Sequence, residues 1–272
     1  MPTLNYRQNK LHYHQYGNGQ ELLIALHGFA DSGALFLHLE SALTERYTVV
    51  ALDLPFHGKT DWQEEVYRPE DVAAWFELLQ QQFGVEKYSL MCHSMGGRLI
   101  LGALPQVIEQ VTAIYFLATA GVEFTFSASR LSFPLALRRF ARKKLVDSNF
   151  FMRIFDYLHE WKLLNTATYT IFKMQLDLPR RRARLLRSWE SLYYFPMRFG
   201  RLQFKLLNEQ HLPTYFFFGI DDGVTPARKG KKVAQKLKNA DWTTTQGNHF
   251  FIKNNLVQEL QSWLDTNLPL SS

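Results

Sequence analysis

The chain has 272 residues, 46% of them hydrophobic and 15% aromatic, with a single cysteine. This length can bury roughly three-quarters of the unfolded surface, and one cysteine excludes a disulfide framework. The formal net charge is +6, and the charge is unevenly distributed along the chain. Residues 121–208 contain 17 Lys and Arg and 6 Asp and Glu, whereas the remaining residues contain 14 Lys and Arg and 19 Asp and Glu. This distribution indicates a basic insert within a mildly acidic body.

Targeting and cofactor motifs are missing from the sequence. The first ten residues are polar, without the apolar segment of a secretory signal, and no run approaches the ~20 apolar residues of a membrane span. With the single cysteine, this predicts a soluble, cytoplasmic protein. No Cys/His spacing fits zinc, and neither a P-loop nor a GxGxxG turn is present, so no metal and no nucleotide cofactor are expected.

Strands and helices alternate along most of the chain. Residues 4–16 alternate apolar and polar side chains as in a hairpin, whereas the apolar runs 21–26 and 47–52 are typical of strands covered on both faces. Helical spacing of apolar residues appears over 35–43 and over 69–83, which begins with proline. Further elements are expected at 87–91, 98–104, 112–117, 213–218, 226–237, 242–245 and 256–268. The alternation predicts a mostly parallel sheet with helices on both faces.

The alternation stops between residues 121 and 208. This segment contains aromatic and basic stretches, such as the one at 180–184, and no strand–helix unit. An all-helical insert late in an α/β sheet is most simply a lid over the carboxyl ends of the strands. The prediction is therefore a core of residues 1–120 and 209–272, interrupted by a helical, basic lid at 121–208.

One turn differs in kind from the others. Ser94 lies between the strand expected at 87–91 and the helix expected at 98–104, with Cys92 two residues before it and Gly96 two residues after it. A strand-to-helix turn this sharp strains its central serine and requires small neighbours, while Oγ projects clear of the sheet. The free N–H groups at the start of the helix then point at any group bound to that oxygen. This context predicts a nucleophilic serine.

Five turns resemble those of the α/β-hydrolase superfamily and occur in that family's order. The turn at Ser94 resembles G-x-S-x-G, with Cys92 at the first glycine. Four others resemble the family's H-G, D-x-P-G-H-G (with Phe56 at its glycine), G-x-x-D-x-[VI]-x-P and G-x-H-F turns, and they lie at 27–29, 53–58, 219–226 and 247–250. Each follows a predicted strand, and the order Ser…Asp…His is the one this fold uses. The resemblance implies an α/β-hydrolase fold with an inserted helical lid.

The resemblance also implies a catalytic triad of Ser94, His249 and Asp222. A serine hydroxyl is a poor nucleophile until a base takes its proton, and that base needs a carboxylate to hold and stabilise it. Asp221 is the competing carboxylate, directly before Asp222.

Two backbone groups are implied as the oxyanion hole: the N–H groups of Phe29 and Met95. Such donors are commonly worth ~3 kcal/mol each in acyl transfer. Three other histidines in or beside the turns, His27, His57 and His93, are expected to brace loops through hydrogen bonds rather than to react.

The expected activity is hydrolysis of a small-molecule carboxylic ester or thioester. A serine nucleophile disfavours haloalkane dehalogenases and epoxide hydrolases, which resemble this scaffold but use aspartate. C–C bond hydrolases keep the same triad, and so does the lyase SHCHC synthase, which the chain resembles at 27–29 and at 96–98. The non-enzymatic alternative is a degenerate hydrolase fold that serves as a binding protein.

The basic lid has three interpretations: a solvated helix face, a funnel for anionic substrates, or a patch for an anionic membrane surface. Pro134 can start a helix in which an apolar stripe opposes a basic face made of Arg138, Arg139, Arg142 and Lys143. This pattern predicts binding to anionic membrane surfaces. Nucleic-acid binding is not expected, because it leaves the five turns unexplained.

Overall fold

The computed structural model describes residues 2–122, 150–164, 166, 169–170, 173–174, 178–253 and 256–267. In these residues, eight strands form one sheet in the order β1-β2-β4-β3-β5-β6-β7-β8. β2 pairs antiparallel with β1 and β4, and the other neighbours pair in parallel. The strands are β1 (Thr3–Tyr6), β2 (Asn9–Tyr16), β3 (Glu21–Leu26), β4 (Tyr47–Leu52), β5 (Tyr88–His93), β6 (Val111–Leu117), β7 (Thr214–Gly219) and β8 (Ala240–Thr245).

Helices cover both faces of the sheet, which confirms the predicted architecture. The α-helices are α1 (Glu40–Leu43), α2 (Pro69–Phe83), α3 (Gly96–Val107), α4 (Phe150–Glu160), α5 (Pro179–Leu192), α6 (Arg201–Glu209), α7 (Ala227–Ala234) and α8 (Leu256–Asn267). Short 3₁₀ helices occupy Gly33–Leu39, Ile108–Gln110 and Phe251–Lys253.

Two hydrophobic cores lie on opposite faces of the sheet. Along β3, Leu22 and Ile24 pack into the core with α2 and α3, whereas Leu23 and Ala25 pack into the core with α8. Side chains of a strand alternate between the two faces. The continuous apolar runs of β3 and β4 therefore reflect burial on both sides, as predicted.

Two predicted helices have different ends in the structure. The first half of the segment predicted at 35–43 is a 3₁₀ helix, which begins with a bond from the N–H of Leu35 to the carbonyl of Ser32. At its start, a side chain at Gly33 would meet the carbonyl oxygen of Ala51 at 2.3 Å, so this tighter segment begins pressed against β4. The helix predicted at 226–237 is shorter, because Leu237 already bonds back to Ala234 in an i→i+3 turn.

The described residues between β6 and β7 include the helices α4, α5 and α6 with turns between them, and they contain no strand. α5 ends against the helix that follows Ser94, because Arg98 on α3 donates hydrogen bonds to the carbonyls of Leu192 (2.6 Å), Phe195 (3.2 Å) and Pro196 (2.9 Å). The helix predicted to begin at Pro134 lies outside the described residues. No described helix is both long enough and apolar enough to cross a bilayer.

Candidate active site

Three side chains from three strand ends meet in one hydrogen-bonded chain. Ser94 follows β5, Asp222 follows β7 and His249 follows β8. Ser94 Oγ lies 2.9 Å from His249 Nε2, and His249 Nδ1 lies 2.8 Å from Asp222 Oδ2. The carboxyl ends of these parallel strands share one edge of the sheet, which is why turns so distant in sequence meet there.

The backbone of Ser94 is held in a strained turn. Its φ angle is 47°, a left-handed conformation that costs a non-glycine residue roughly 1–2 kcal/mol. Its N–H donates to the carbonyl of Leu117 at 3.0 Å, and its own carbonyl accepts from Ala120 at 2.9 Å. A side chain at Gly96 would meet the carbonyl oxygen of Leu26 at 2.3 Å. The turn therefore admits only a hydrogen at position 96, and it leaves Ser94 partly exposed.

Cys92 takes the place of the family's first glycine without facing the site. Its side chain is fully buried in the core that contains α2 and α3. Burial raises the pKa of the Cys92 thiol well above its usual value. Cys92 is thus a packed core residue with an un-ionised thiol.

Asp222 accepts four hydrogen bonds. Besides the bond from His249, its carboxylate accepts the N–H groups of Val224 and Thr225 at 2.8 Å and the Thr225 hydroxyl at 2.6 Å. Burial raises the pKa of Asp222, but the hydrogen bond and electrostatic attraction of His249 and the hydrogen bonds of Thr225 outweigh burial and hold the pKa below its usual value. The competing Asp221 is exposed, so Asp222 is the carboxylate that contacts His249.

Thr225 is a site residue that sequence reasoning missed. Its hydroxyl lies 3.3 Å from His249 Nδ1 as well as contacting Asp222. The available signal was its place three residues after Asp222, since a hydroxyl at that spacing can bond back to an aspartate in a turn.

The loop after β3 lies directly against the serine. A side chain at Gly28 would come within 3.1 Å of Ser94 Cβ, so the adjacent Phe29 N–H lies close to the site. Met95 immediately precedes α3. Within the described part of the chain, neither the Phe29 N–H nor the Met95 N–H donates to a protein acceptor. Both therefore remain candidates for the oxyanion hole.

Two histidines brace the loops beside the site. His27 accepts from the N–H of Leu54 at 3.0 Å and donates to the carbonyl of Gly28 at 2.6 Å. His57 donates to the carbonyl of Pro55 at 2.9 Å. Burial lowers the pKa of His27 and lowers that of His57 further, so both rings are neutral spacers between the turns.

His93 connects the serine turn to the histidine turn. Its Nε2 donates to the backbone carbonyl of His249 at 3.0 Å, and the two rings lie 5.0 Å apart. Burial, together with the neighbouring His249, lowers the pKa of His93 to about 3. His93 therefore positions the backbone of the base without charge of its own.

Among the described residues, His12, His14 and Asp53 offer metal-ligand atoms within 4.8 Å of one another. The Asp53 carboxylate, however, accepts the N–H groups of Gly33 (2.7 Å) and Lys59 (2.8 Å) and the ring N–H of His12 (2.8 Å). These hydrogen bonds account for the cluster, which ties β2 to the turn after β4.

Comparisons with known proteins agree with the fold. A family profile described as "alpha/beta hydrolase fold" matches residues 21–256. Similar sequences include an uncharacterised hydrolase, YugF, of Bacillus subtilis, which is 23% identical over 85% of this chain and 84% of its own length. Another is a 2-hydroxy-6-oxononadienedioate/2-hydroxy-6-oxononatrienedioate hydrolase of Paraburkholderia phymatum, 23% identical over 86% of this chain and 82% of its own.

A solved structure of similar fold is that of a thermophilic esterase from Thermogutta terrifontis. It superposes with a TM-score of 0.69 over 95% of this chain and 94% of the esterase, at 17% sequence identity. At that identity, the likeness shows the fold alone.

Proposed function

The chain belongs to the α/β-hydrolase family, and on that premise we propose that it is a serine hydrolase that cleaves a carboxylic ester or thioester through an acyl-enzyme. The observation that carries the proposal is the hydrogen-bonded chain from Ser94 through His249 to Asp222, with distances of 2.9 and 2.8 Å. A nucleophile bonded to a base, which is itself oriented by a buried carboxylate, is the arrangement that activates a serine hydroxyl.

In the proposed reaction, His249 Nε2 takes the proton of Ser94 as Oγ attacks the carbonyl carbon. Asp222 keeps His249 in one tautomer and stabilises the imidazolium that forms. The backbone N–H groups of Phe29 and Met95 bind the oxyanion. Collapse of the intermediate expels the alcohol or thiol, which takes the proton from His249, and water then releases the acid by the same steps in reverse order.

The ester and thioester class is supported by the serine itself, since a hydroxyl nucleophile activated by a base, with two backbone N–H groups nearby as proposed oxyanion donors, is suited to acyl transfer. The buried, un-ionised Cys92 leaves Ser94 as the nucleophile at this turn.

C–C bond hydrolysis is the second candidate. The relative from Paraburkholderia phymatum, which aligns over 86% of this chain, is named as a hydrolase of 2-hydroxy-6-oxo dioates. The same triad can serve that reaction, so a substrate test decides between the two.

The test is turnover of an acyl-chain series of nitrophenyl esters and thioesters, beside a 2-hydroxy-6-oxo-dienoate. We expect a rapid burst of nitrophenol followed by slower turnover, because the acyl-enzyme accumulates. Ser94→Ala is the matched control and should abolish the burst. Turnover of the dienoate alone would favour the C–C hydrolase, and no turnover of any member would favour a degenerate fold that serves as a binding protein.

We also propose that residues 121–208 form a helical cap over the site, with residues 1–120 and 209–272 as the core. The helices α4, α5 and α6 and the three hydrogen bonds of Arg98 support this division. Membrane-surface binding through the basic helix beginning at Pro134 stays a prediction, since that segment lies outside the described residues. Co-sedimentation with anionic and neutral vesicles tests it, and equal binding to both would contradict it.

A further inference from the structure

A basic cleft opens next to the candidate active site. It has a volume of about 520 Å³ and is lined by Ala30, Phe56, Met174, Arg180, Arg181 and Arg184. Ala30 directly follows Phe29, whose N–H is a proposed oxyanion donor, and the preceding Gly28 lies against Ser94. The cleft is thus lined in part by the loop that carries a proposed oxyanion donor and packs against Ser94.

Arg184 provides the closest connection between α5 and this loop. Its guanidinium carbon lies 5.9 Å from the centre of the Phe29 ring, and the same ring packs at 5.6 Å against His57. One turn further along α5, the Arg187 guanidinium lies 5.4 Å from the Phe56 ring. Aromatic side chains from two strand-end turns therefore support the arginine-bearing face of α5.

The positive charges of the three cleft arginines lie close together, which is unfavourable for helix α5. Arg180 and Arg184 are four residues apart, and like charges at this spacing repel on a helix. Burial lowers the pKa of Arg184, and the neighbouring charges of Arg181 and Arg180 lower it further. Cations in the first turns of a helix also oppose the helix dipole. An anion bound in the cleft would be attracted by all three charges, and the Arg181 guanidinium also donates a hydrogen bond to the carbonyl of Met174 at 2.9 Å.

Phe56, which also lines the cleft, has an unfavourable backbone conformation. Its φ angle is 68°, a conformation that favours glycine and costs other residues roughly 1–2 kcal/mol. Its ring nevertheless lines the cleft and contacts Tyr67 and Arg187. Two unfavourable local arrangements thus occur in the lining of one cleft, as is expected at functional surfaces.

From this arrangement we propose that Arg180, Arg181 and Arg184 form a subsite for an oxyanion group, a carboxylate or a phosphate, carried by the substrate itself. The guanidinium fork binds planar and tetrahedral oxyanions through paired hydrogen bonds, which lysine cannot do. The inference rests on the proposed hydrolase activity and specifies its substrate class: an ester or thioester with an acidic substituent a short distance from the scissile carbonyl.

Matched substrate pairs test the subsite and locate the anion. On the acyl side, the 4-nitrophenyl half ester of glutaric acid is compared with 4-nitrophenyl pentanoate, which ends in a methyl group instead of a carboxylate. On the alcohol side, the butyrate ester of glycerol 3-phosphate is compared with monobutyrin. We expect wild-type kcat/KM to favour the anionic member of at least one pair by about tenfold or more, mainly through KM.

Arginine variants then assign the preference to this cleft. Arg184→Gln should reduce the preference, Arg180→Gln/Arg181→Gln/Arg184→Gln should remove it, and Arg184→Lys should restore only part of it, because the charge returns without the fork. In each variant, turnover of the neutral esters should fall less than turnover of the anionic esters. Lys205→Gln on α6, which removes an exposed cation outside the cleft, is the control and should keep the wild-type preference.

A binding measurement separates this inference from the proposed function. Titration of Ser94→Ala with glutarate and with inorganic phosphate, followed by calorimetry, does not depend on turnover. Binding that the triple arginine variant loses supports the subsite even if no ester is cleaved. Overturning results are ester hydrolysis without anion preference in either pair, or equal losses on neutral and anionic esters in the arginine variants.

Discussion

The turns that follow β3, β4, β5, β7 and β8, called the strand-end turns below, differ from helix α5 in the surroundings of their polar side chains. At the strand ends, the polar side chains are buried and bonded to fixed protein partners: Asp222 accepts four hydrogen bonds and His93 holds the backbone of His249. On α5, Arg180, Arg181 and Arg184 line an open cleft. Under the proposed function, the turns determine the reaction, which needs fixed geometry, while α5 influences which substrates enter.

This comparison makes a general prediction about variants. Changes in the strand-end turns should lower activity toward all substrates alike, because every substrate uses the same nucleophile and base. Changes on α5 should alter the ratio between substrates. A turn variant that changes substrate preference, or an α5 variant that abolishes all turnover, would contradict the division.

The largest effect is expected from Ser94→Ala and His249→Ala. Each should lower kcat by about 10⁴-fold or more toward every ester, and the double variant should lose little beyond either single change, because the two residues act as one unit. The measurement is a double-mutant cycle on kcat with a neutral and an anionic ester. Independent, multiplicative losses would show that the two side chains do not share one reaction step.

A smaller but still large loss is expected from Asp222→Asn. The amide lacks the charge that stabilises the imidazolium and favours the wrong tautomer of His249, so kcat should fall by about 10³- to 10⁴-fold. Asp221→Asn, at the adjacent exposed position, is the matched control and should stay within about twofold of wild type. If the two variants lost activity equally, the contact between Asp222 and His249 would not carry the assigned role.

Thr225→Val should have an intermediate effect. It removes the hydroxyl bonded to Asp222 but keeps the shape and the backbone N–H. We expect about tenfold lower kcat/KM and about 1 kcal/mol less stability toward urea. Because the folded-state pKa of Asp222 is lowered, its stabilisation is present above pH 3.8 and lost as the pH falls through the folded-state pKa. In the variant this pKa should lie closer to 3.8, so less stabilisation is present and its loss is complete at a higher pH. Thr225→Ser should restore wild-type behaviour, and failure to do so would assign the effect to packing.

The smallest effect on activity is expected from His93→Gln, whose amide can still donate to the His249 carbonyl. The main effect of this change is expected on the free energy of unfolding at acidic pH. In the folded state the pKa of His93 is about 3, against 6.5 for an unperturbed histidine, so the unfolded chain binds this proton first as the pH falls. Wild-type stability from this group therefore decreases between pH 6.5 and 3, by about 1.4 kcal/mol per pH unit.

Urea unfolding at pH 7 and at pH 5 measures this difference. His93→Gln should lose about 2 kcal/mol less than wild type over that interval. The exposed His211 provides the control, since His211→Gln should keep the wild-type dependence. Identical pH dependence in all three proteins would mean that His93 is not held neutral by burial.

The sequence located the strand-end turns because each follows a predicted strand, and the pattern of a strand is local. Most of these strands are buried apolar runs, whereas β8, before His249, is more polar and only partly buried. The sequence did not exclude Asp221 as the carboxylate that contacts His249 in place of Asp222. Adjacent side chains differ in the direction in which the turn points them, and the sequence does not record that direction.

The 3₁₀ helix at Gly33–Leu39 was predicted as α-helix, because apolar spacing does not record how closely the segment lies against β4. The sequence shows the arginines at 180–184 only as a basic stretch. That Arg184 lies over the ring of Phe29 depends on tertiary packing, which the sequence pattern does not record.

The most direct test of the central claim is covalent labelling of Ser94 with a fluorophosphonate, followed by mass spectrometry of the digested protein. The account predicts one adduct per wild-type chain, on Ser94, no adduct in Ser94→Ala, and greatly slowed labelling in His249→Ala, since the base no longer takes the serine proton. Arg184→Gln should be labelled at the wild-type rate by this neutral probe. Labelling that persists in Ser94→Ala, on Cys92 or elsewhere, would contradict the account.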